Sequence, residues 1–157
     1  MSPHLSTVPA GSREPFMELL LLADESEQQV RRYLDSGDLY VYSLEQATVG
    51  LILTIPLESG VVELKAVAVR SSRQAQGIGK QMLAAVLADL QRCGWQRAVV
   101  GTASSGIGQL AYYQKAGFRL SRIERDYFTL ARGYPALMIE NGIRVIDMVW
   151  MDKDLDA

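Results

Sequence analysis

The sequence has few of the residues that metal, disulfide and triad chemistry require. Its 157 residues include one cysteine, Cys93, and one histidine, His4. A single cysteine excludes an intrachain disulfide and a zinc site built from cysteines. A Ser-His-Asp or Cys-His triad would have to use His4, which lies in a segment rich in proline, serine and glycine. We therefore expect no metal and no nucleophilic triad.

The chain also has a small net charge and no long apolar run. The formal net charge is −2, whereas a general nucleic-acid-binding domain is normally basic. The longest run without a charged residue, 98–114, contains glycine, serine, threonine and glutamine, so it does not predict a membrane span. The N-terminus lacks the basic and apolar regions of a signal peptide. These absences predict a cytoplasmic protein that binds neither nucleic acid nor membranes.

The residues that are present favour one globular domain. Apolar residues make up 48% and charged residues 22% of the chain, and the length fits one domain. Residues 1–15 are predicted to be a flexible leader and residues 16–157 the domain. The periodicity of the apolar residues predicts the order α-α-β-β-β-α-β-α-β-β. This order indicates an α/β (α+β) fold with a mixed central sheet flanked by helices.

Two finer features follow from the local pattern. Simple alternation along a strand at 61–69 places Glu63, Lys65 and Val67 on one face of the sheet. The pair Asn141-Gly142 predicts a hairpin turn between strands at 136–140 and 143–151.

A glycine-rich turn joins the strand at 61–69 to the clearest predicted helix, 77–93. Gly77 and Gly79 lie where the first N–H groups of that helix lack intrahelical partners, an arrangement suited to an anion such as phosphate. The charged residues between Glu63 and Asp89 are all cationic. They are Lys65, Arg70, Arg73 and Lys80. The alternative interpretation is a glycine-rich helix start that only packs against a strand.

The turn matches one family in particular. Its pattern Gln-x-x-Gly-x-Gly over residues 74–79 fits neither the Walker nor the Rossmann spacing, and it resembles the coenzyme A loop of the GNAT superfamily of N-acetyltransferases. Downstream, Tyr113-Gln114-Lys115-Ala116-Gly117-Phe118 is similar to that family's Tyr-x-Lys-x-Gly-Phe segment. The resemblance covers roughly residues 39–127. It implies a single-domain GNAT fold that moves acetyl from acetyl-CoA to a primary amine by direct attack.

The resemblance also implies which residues contact coenzyme A. The strand before the turn would pair with the pantetheine arm through the backbone of Val67, Ala68 and Val69, with the N–H of Val67 or Ala68 facing the thioester oxygen. The turn would hold the pyrophosphate. Its residues are Gln74, Ala75, Gln76, Gly77, Ile78, Gly79 and Lys80. Many members carry an asparagine where this chain has Gly106, so Ser104 is our candidate for the missing polar contact.

Two residues are implied in the chemistry. Glu63 stands eleven residues before Gln74, the spacing of the catalytic glutamate in histone-acetylating members, and burial in the strand would raise its pKa into the range of a useful base. Two alternatives to this role of Glu63 are a salt bridge with Lys65 and a site in which backbone carbonyls and water remove the proton. Tyr113 matches the family tyrosine that hydrogen-bonds to the coenzyme A sulfur, and its alternative is a core aromatic.

The acceptor amine cannot be identified from the sequence. Small molecules, peptide N-termini and protein lysines all stay open, as do another acyl-CoA donor and a binding module without turnover. Arg70, Arg73 and Lys80 either contact phosphate or are solvated. Candidates for the acceptor pocket are Tyr40, Tyr42, Tyr127, Tyr134 and Glu140. The Asn141-Gly142 hairpin suggests a homodimer through its strands.

Overall fold

One mixed sheet and four helices make up most of the computed structural model, which describes residues 3–74 and 76–155. The strands are β1 His4–Val8, β2 Asp38–Leu44, β3 Ala47–Glu58, β4 Val61–Val69, β5 Arg97–Ala103, β6 Arg119–Glu124, β7 Ile139–Glu140, β8 Ile143–Arg144 and β9 Met148–Asp154. The helices are α1 Met17–Ala23, α2 Glu27–Tyr33, α3 Ile78–Arg92 and α4 Ile107–Lys115.

The main sheet has the order β1-β2-β3-β4-β5-β9-β6. The β4–β5 pair is parallel, and the other neighbouring pairs are antiparallel. β7 and β8 form a separate two-stranded hairpin. The predicted mixed sheet flanked by helices is therefore confirmed.

Helices cover both faces of the sheet. α3 and α4 pack on one face, and the predicted apolar stripe of α3 is buried there. α1 and α2 pack on the other face, where Leu20 and Val30 contact a second apolar cluster that includes Leu51 and Leu53. Because both faces of the sheet are filled, a ligand can enter where neighbouring strands separate.

The expectation of a loose leader is wrong for residues 4–8. These residues form β1 and pair antiparallel with β2, from His4 opposite Ser43 to Val8 opposite Leu39. The ladder of backbone hydrogen bonds holds this edge strand, although its side chains give little periodic signal. Arg13 anchors the segment that follows. Its buried guanidinium donates to the carbonyls of Val8, Leu34, Ser36 and Gly37 at 2.7–3.0 Å.

A β-bulge in β4 overturns the simple alternation predicted for residues 61–69. Leu53 lies opposite Ala66 and Thr54 opposite Leu64, so Lys65 is an extra residue on β4. Leu64 and Val67 therefore both pack toward α3, whereas Ala66 joins the cluster under α1 and α2. Glu63, Lys65 and Val67 do not share a face as predicted. A bulge bends and twists its strand, and here it marks the point where β4 leaves β5.

The hairpin at Asn141-Gly142 is present but shorter than predicted. Both turn residues have positive φ, 55° and 74°, as expected of an Asn-Gly turn. The paired strands span two residues each, and the following chain joins the main sheet as β9 from Met148. The predicted second arm therefore contains two separate strands.

Candidate active site

A crevice opens between β4 and β5. The two strands pair from Val61 opposite Arg97 to Leu64 opposite Val100. Beyond that point β5 pairs with β9, and β4 pairs with β3. Residues 65–69 and 101–103 thus form the two sides of an opening, which we call the β4–β5 crevice.

The backbone of β4 turns the N–H and C=O groups of Val67 and Val69 toward this crevice. The N–H of Arg70 donates to the Val49 carbonyl on β3 at 2.7 Å. Because hydrogen-bonded and non-hydrogen-bonded residues alternate in an antiparallel pair, Ala68 also turns its N–H toward β3, whereas Val67 and Val69 turn theirs to the crevice. The Gln74 side chain donates to the Val69 carbonyl at 3.0 Å. Of the two predicted donors, Val67 is therefore the one placed to face a ligand.

The start of α3 lies beside this crevice. Gly77 precedes the helix with a φ of +76°, which favours glycine. A Cβ on Gly79 would stand 3.5 Å from Val69 and 3.4 Å from the ring of Tyr112. The Tyr112 hydroxyl donates to the Gly79 carbonyl at 2.6 Å, so Tyr112, expected only to pack, connects α4 to the start of α3.

The predicted turn residues follow β4 directly. Gln74, Gln76, Gly77 and Lys80 are exposed and Ile78 is buried, while Ala75 lies outside the described residues. The first turn of α3 contains no acidic residue. The helix start therefore offers free N–H groups next to positive charge, the combination that binds phosphate.

The three predicted cations around the turn differ in their contacts. Arg70 is exposed, and its Nε donates to the Thr48 carbonyl at 2.8 Å. Arg73 is half-buried and Lys80 is exposed. None of the three forms an ion pair with another described residue. All three charges stay available to an anionic ligand.

Tyr113 projects from α4 into the cavity that continues the crevice. Its side chain is 6% exposed and packs against the rings of Tyr112 and Phe118, with centroids 5.0 and 5.7 Å away. Burial raises the pKa of the phenol well above its ordinary value. No other described residue hydrogen-bonds to its hydroxyl. The phenol is therefore protonated, and its O–H can donate a hydrogen bond to a ligand.

Glu63 lines the same cavity from β4. The residue is 9% exposed, and within the described part of the chain its carboxylate has no hydrogen-bond or ion-pair partner. Burial raises its pKa, and Lys65 partly offsets the rise. The predicted alternative of a Glu63–Lys65 salt bridge is absent from these residues, because the Lys65 ammonium lies over the Tyr33 ring, 5.2 Å from its centroid.

The turn between β5 and α4 holds the β7–β8 hairpin. Ser105 is fully buried, and its hydroxyl donates to the Glu140 carboxylate at 3.2 Å. The Asn141 side chain donates to the Ser105 carbonyl at 2.9 Å. Ser104, the predicted pantetheine contact, is half-buried in this turn, and its N–H donates to the Asp147 carbonyl. Its predicted role stays a prediction.

The cavity has a volume of about 400 Å³. Three of the predicted pocket residues, Tyr127, Tyr134 and Glu140, line it. Tyr40 and Tyr42 do not. They lie in the core under α3, where the Tyr40 hydroxyl donates to Asp89 at 2.7 Å.

Sequence reasoning missed part of the cavity wall. Asp24 and Glu25 line it from the turn between α1 and α2. No local motif marks them, because the folded topology alone brings them to β4. Trp150, expected only to pack, also lines the cavity, and its Nε1 donates to Glu124 at 3.1 Å.

Residues 3–74 and 76–155 contain no group of three or more His, Cys, Asp or Glu side chains placed to hold a metal ion. The helices in these residues are too short or too polar to span a membrane.

Known proteins resemble this chain in sequence and fold. The Acetyltransferase (GNAT) family model matches residues 11–118. The uncharacterized N-acetyltransferase YvbK of Bacillus subtilis (strain 168) is 35% identical over 144 residues, 92% of each chain. The IAA acetyltransferase from Bacillus cereus ATCC 14579 has 33% identity and a TM-score of 0.88, covering 98% of this chain and 99% of that one. A GNAT family acetyltransferase from Elizabethkingia anophelis with acetyl-CoA bound has 34% identity and a TM-score of 0.88, covering 97% of both chains.

Proposed function

Because the chain belongs to the GNAT family of acetyltransferases, we propose that it transfers acetyl from acetyl-CoA to a primary amine of a small molecule, peptide or protein by direct nucleophilic attack. The observation that carries this proposal is the β4–β5 crevice. It joins an exposed cationic helix start to a cavity that contains both Glu63 and Tyr113. The acetyl-CoA bound to the Elizabethkingia relative supports the choice of donor.

The residues along the crevice suit successive parts of an acetyl-CoA molecule. The helix start at Gly77–Lys80, with Arg70 and Arg73 nearby, suits the pyrophosphate. The N–H and C=O of Val67 and the N–H of Val69 suit the amides of the pantetheine arm. The N–H of Val67 is then the donor to the thioester oxygen, where negative charge grows as the amine attacks.

Glu63 supplies the base. An alkyl amine has a pKa of about 10.4, so near neutral pH roughly one molecule in a thousand is uncharged and nucleophilic. The buried carboxylate of Glu63, which no other described residue pairs with, accepts the proton directly or through one water. Its raised pKa brings it closer to the pKa of the proton donor, which favours transfer.

Tyr113 assists departure of the coenzyme A sulfur. A phenol is a weaker acid than a thiol, and burial raises the pKa of Tyr113 further. Complete proton transfer to the sulfur is therefore uphill. The hydroxyl instead donates a hydrogen bond that strengthens as the sulfur becomes negative, which stabilises the transition state more than the bound substrate.

A thiol-release assay tests the proposed function. Purified protein is mixed with acetyl-CoA and a panel of small amines, amino acids, peptides and lysine-bearing proteins, and free coenzyme A is measured. We expect release that depends on one class of amine, with an acetylated amine of matching mass. Binding of acetyl-CoA without release on any amine would contradict catalysis and favour a binding module.

We also propose a homodimer through the β7–β8 hairpin. Ile139 and Ile143 are 65% and 44% exposed, and Leu137 before them is 63% exposed. Ile139 and Ile143 lie on opposite faces of the hairpin, because Ile139 is opposite Arg144 and Ile143 is opposite Glu140. Each face therefore carries an exposed aliphatic side chain that a second copy would cover. Light scattering after gel filtration should give twice the chain mass of 17.4 kDa, and Ile139→Asp should return the monomer. A monomeric wild-type protein would overturn this proposal.

A further inference from the structure

The cavity beyond the crevice is strongly acidic. Carboxylates line it from three separate elements: Asp24 and Glu25 from the α1–α2 turn, Glu63 from β4 and Glu140 from the hairpin. The one cation among the described lining residues is Lys65. The protein therefore presents opposite charges at the two ends of the crevice, cations at the helix start and carboxylates in the cavity.

These carboxylates are not neutralised by the protein. In the described part of the chain, none of the four forms an ion pair. Asp24 accepts from the Tyr33 hydroxyl at 3.0 Å, and Glu140 accepts from the Ser105 hydroxyl at 3.2 Å. Neutral hydroxyl donors orient a carboxylate but leave its charge in place. Glu63 is 9% exposed and has no ion-pair partner among the described residues, so its charge is available to a cationic ligand in the cavity.

Part of the remaining wall is aromatic. Phe128 packs against Tyr127 and Tyr134, with both centroid distances at 5.0 Å, and Trp150 lies 6.5 Å from Tyr127. Rings of this kind cover alkyl chains and attract cations through their faces. Arg132 stacks on Tyr127 at 4.2 Å and Arg122 on Trp150 at 5.1 Å, so one face of each of these two rings already holds a cation of the protein.

Glu140 is the carboxylate best placed to select a ligand. The buried Ser105 hydroxyl fixes it, and the Asn141–Ser105 hydrogen bond fixes the hairpin that carries it. One accepted hydrogen bond leaves most of the acceptor capacity of the carboxylate free. Asp24, by contrast, also accepts from the Ser26 N–H at 3.1 Å.

From this arrangement we infer that the acceptor is an aliphatic diamine or polyamine, with one amino group at Glu63 and a second, charged amino group at Glu140. The inference rests on the proposed function and names the substrate class for the same site. The aromatic wall covers the alkyl chain between the two nitrogens. An acceptor with a carboxylate in place of the second amine would meet like charge and bind poorly.

Matched amines test the inference. Thiol release is measured with 1-aminobutane, with 4-aminobutanoate and with the series of α,ω-diamines from 1,3-diaminopropane to 1,6-diaminohexane. At least one diamine should exceed 1-aminobutane about tenfold in kcat/KM, the value of one charge-assisted contact. 4-Aminobutanoate should be the poorest acceptor.

Replacing Glu140 tests whether this side chain causes the preference for diamines. Glu140→Gln should raise KM for the best diamine about tenfold and change kcat little, while KM for 1-aminobutane stays the same. Glu58→Gln removes an exposed carboxylate on β3 outside the cavity. It is the control and should change neither value. An equal rise in KM for both amines would show that Glu140 only supports the hairpin.

The possible failures can be told apart. A preference for the uncharged-tail or anionic amine, or no release from any of these amines by a protein that binds acetyl-CoA, overturns the diamine inference and leaves the proposed function standing. A folded protein that does not bind acetyl-CoA overturns both.

Discussion

Replacing Glu63 by glutamine tests the base most sharply. The two side chains have nearly the same size, and within the described residues no native hydrogen bond or ion pair of the carboxylate is lost. The substitution therefore removes the ionisable group and leaves the packing of β4 intact. Its effect on rate reports the chemistry of the proton.

The expected loss follows from the ionisation of the amine. With about one neutral molecule in a thousand near pH 7.4, the deficit is roughly 4 kcal/mol. A positioned general base contributes about a hundredfold to ten-thousandfold. We predict that Glu63→Gln lowers kcat/KM about a hundredfold near neutral pH. The difference should shrink at higher pH, because the neutral amine grows about tenfold per pH unit.

The raised pKa of Glu63 predicts how activity and stability change with pH. The wild-type enzyme should lose activity as the pH falls through this raised value, and the variant should lack that step. A carboxyl whose pKa is raised by folding makes the native state bind more protons than the unfolded state. Wild-type stability therefore falls as the pH rises from the unfolded to the folded pKa. At neutral pH the variant should be at least as stable as the wild type.

The assay is kcat/KM by thiol release from about pH 6 to pH 10, beside thermal unfolding at neutral pH. Glu58→Gln is the matched control, because this exposed residue lies outside the cavity. A Glu63→Gln enzyme within about twofold of wild type over the whole range would refute the role of base. A rate loss accompanied by a clear loss of stability would instead indicate a structural role.

Two other substitutions have predicted outcomes. Tyr113→Phe should lower kcat at least about tenfold with little change in acetyl-CoA affinity by calorimetry, because its hydrogen bond strengthens only as the sulfur leaves; an equal loss in both would indicate packing alone. Arg13→Met leaves four carbonyls without their donor, and should destabilise the fold by about 3 kcal/mol, a fall in Tm of about 6–12 °C. Exposed Arg32→Met is its control, and an unchanged Tm for Arg13→Met would contradict the anchor.

Local patterns predicted the elements that carry strong local signals. The stripe of α3, the start of that helix at the glycine pair and the span of α4 all rest on periodicity and turn residues within a short window. Those same windows contain the motifs that indicate the coenzyme A loop. The family was therefore accessible from the sequence.

Features that depend on distant pairing were not accessible. β1 is held by backbone hydrogen bonds to β2, which its own side chains do not encode. The bulge at Lys65 is a shift in the pairing of β3 with β4. It determines which β4 side chains face α3. The acidic wall joins Asp24, Glu63 and Glu140 from three regions of the chain. A short stretch of sequence contains no information about which distant residues lie close together in the fold.

The most direct test of the central claim is a calorimetric titration with acetyl-CoA of the wild type and of Gly79→Glu. A Cβ at Gly79 meets neighbours at ordinary contact distance, and a glutamate in the first turn suits the helix dipole, so the variant should fold. Gln91→Glu places the same charge at the far, exposed end of α3. We predict one micromolar site in the wild type and in Gln91→Glu, and none in Gly79→Glu. Equal affinity in all three proteins would contradict a coenzyme A site at the start of α3.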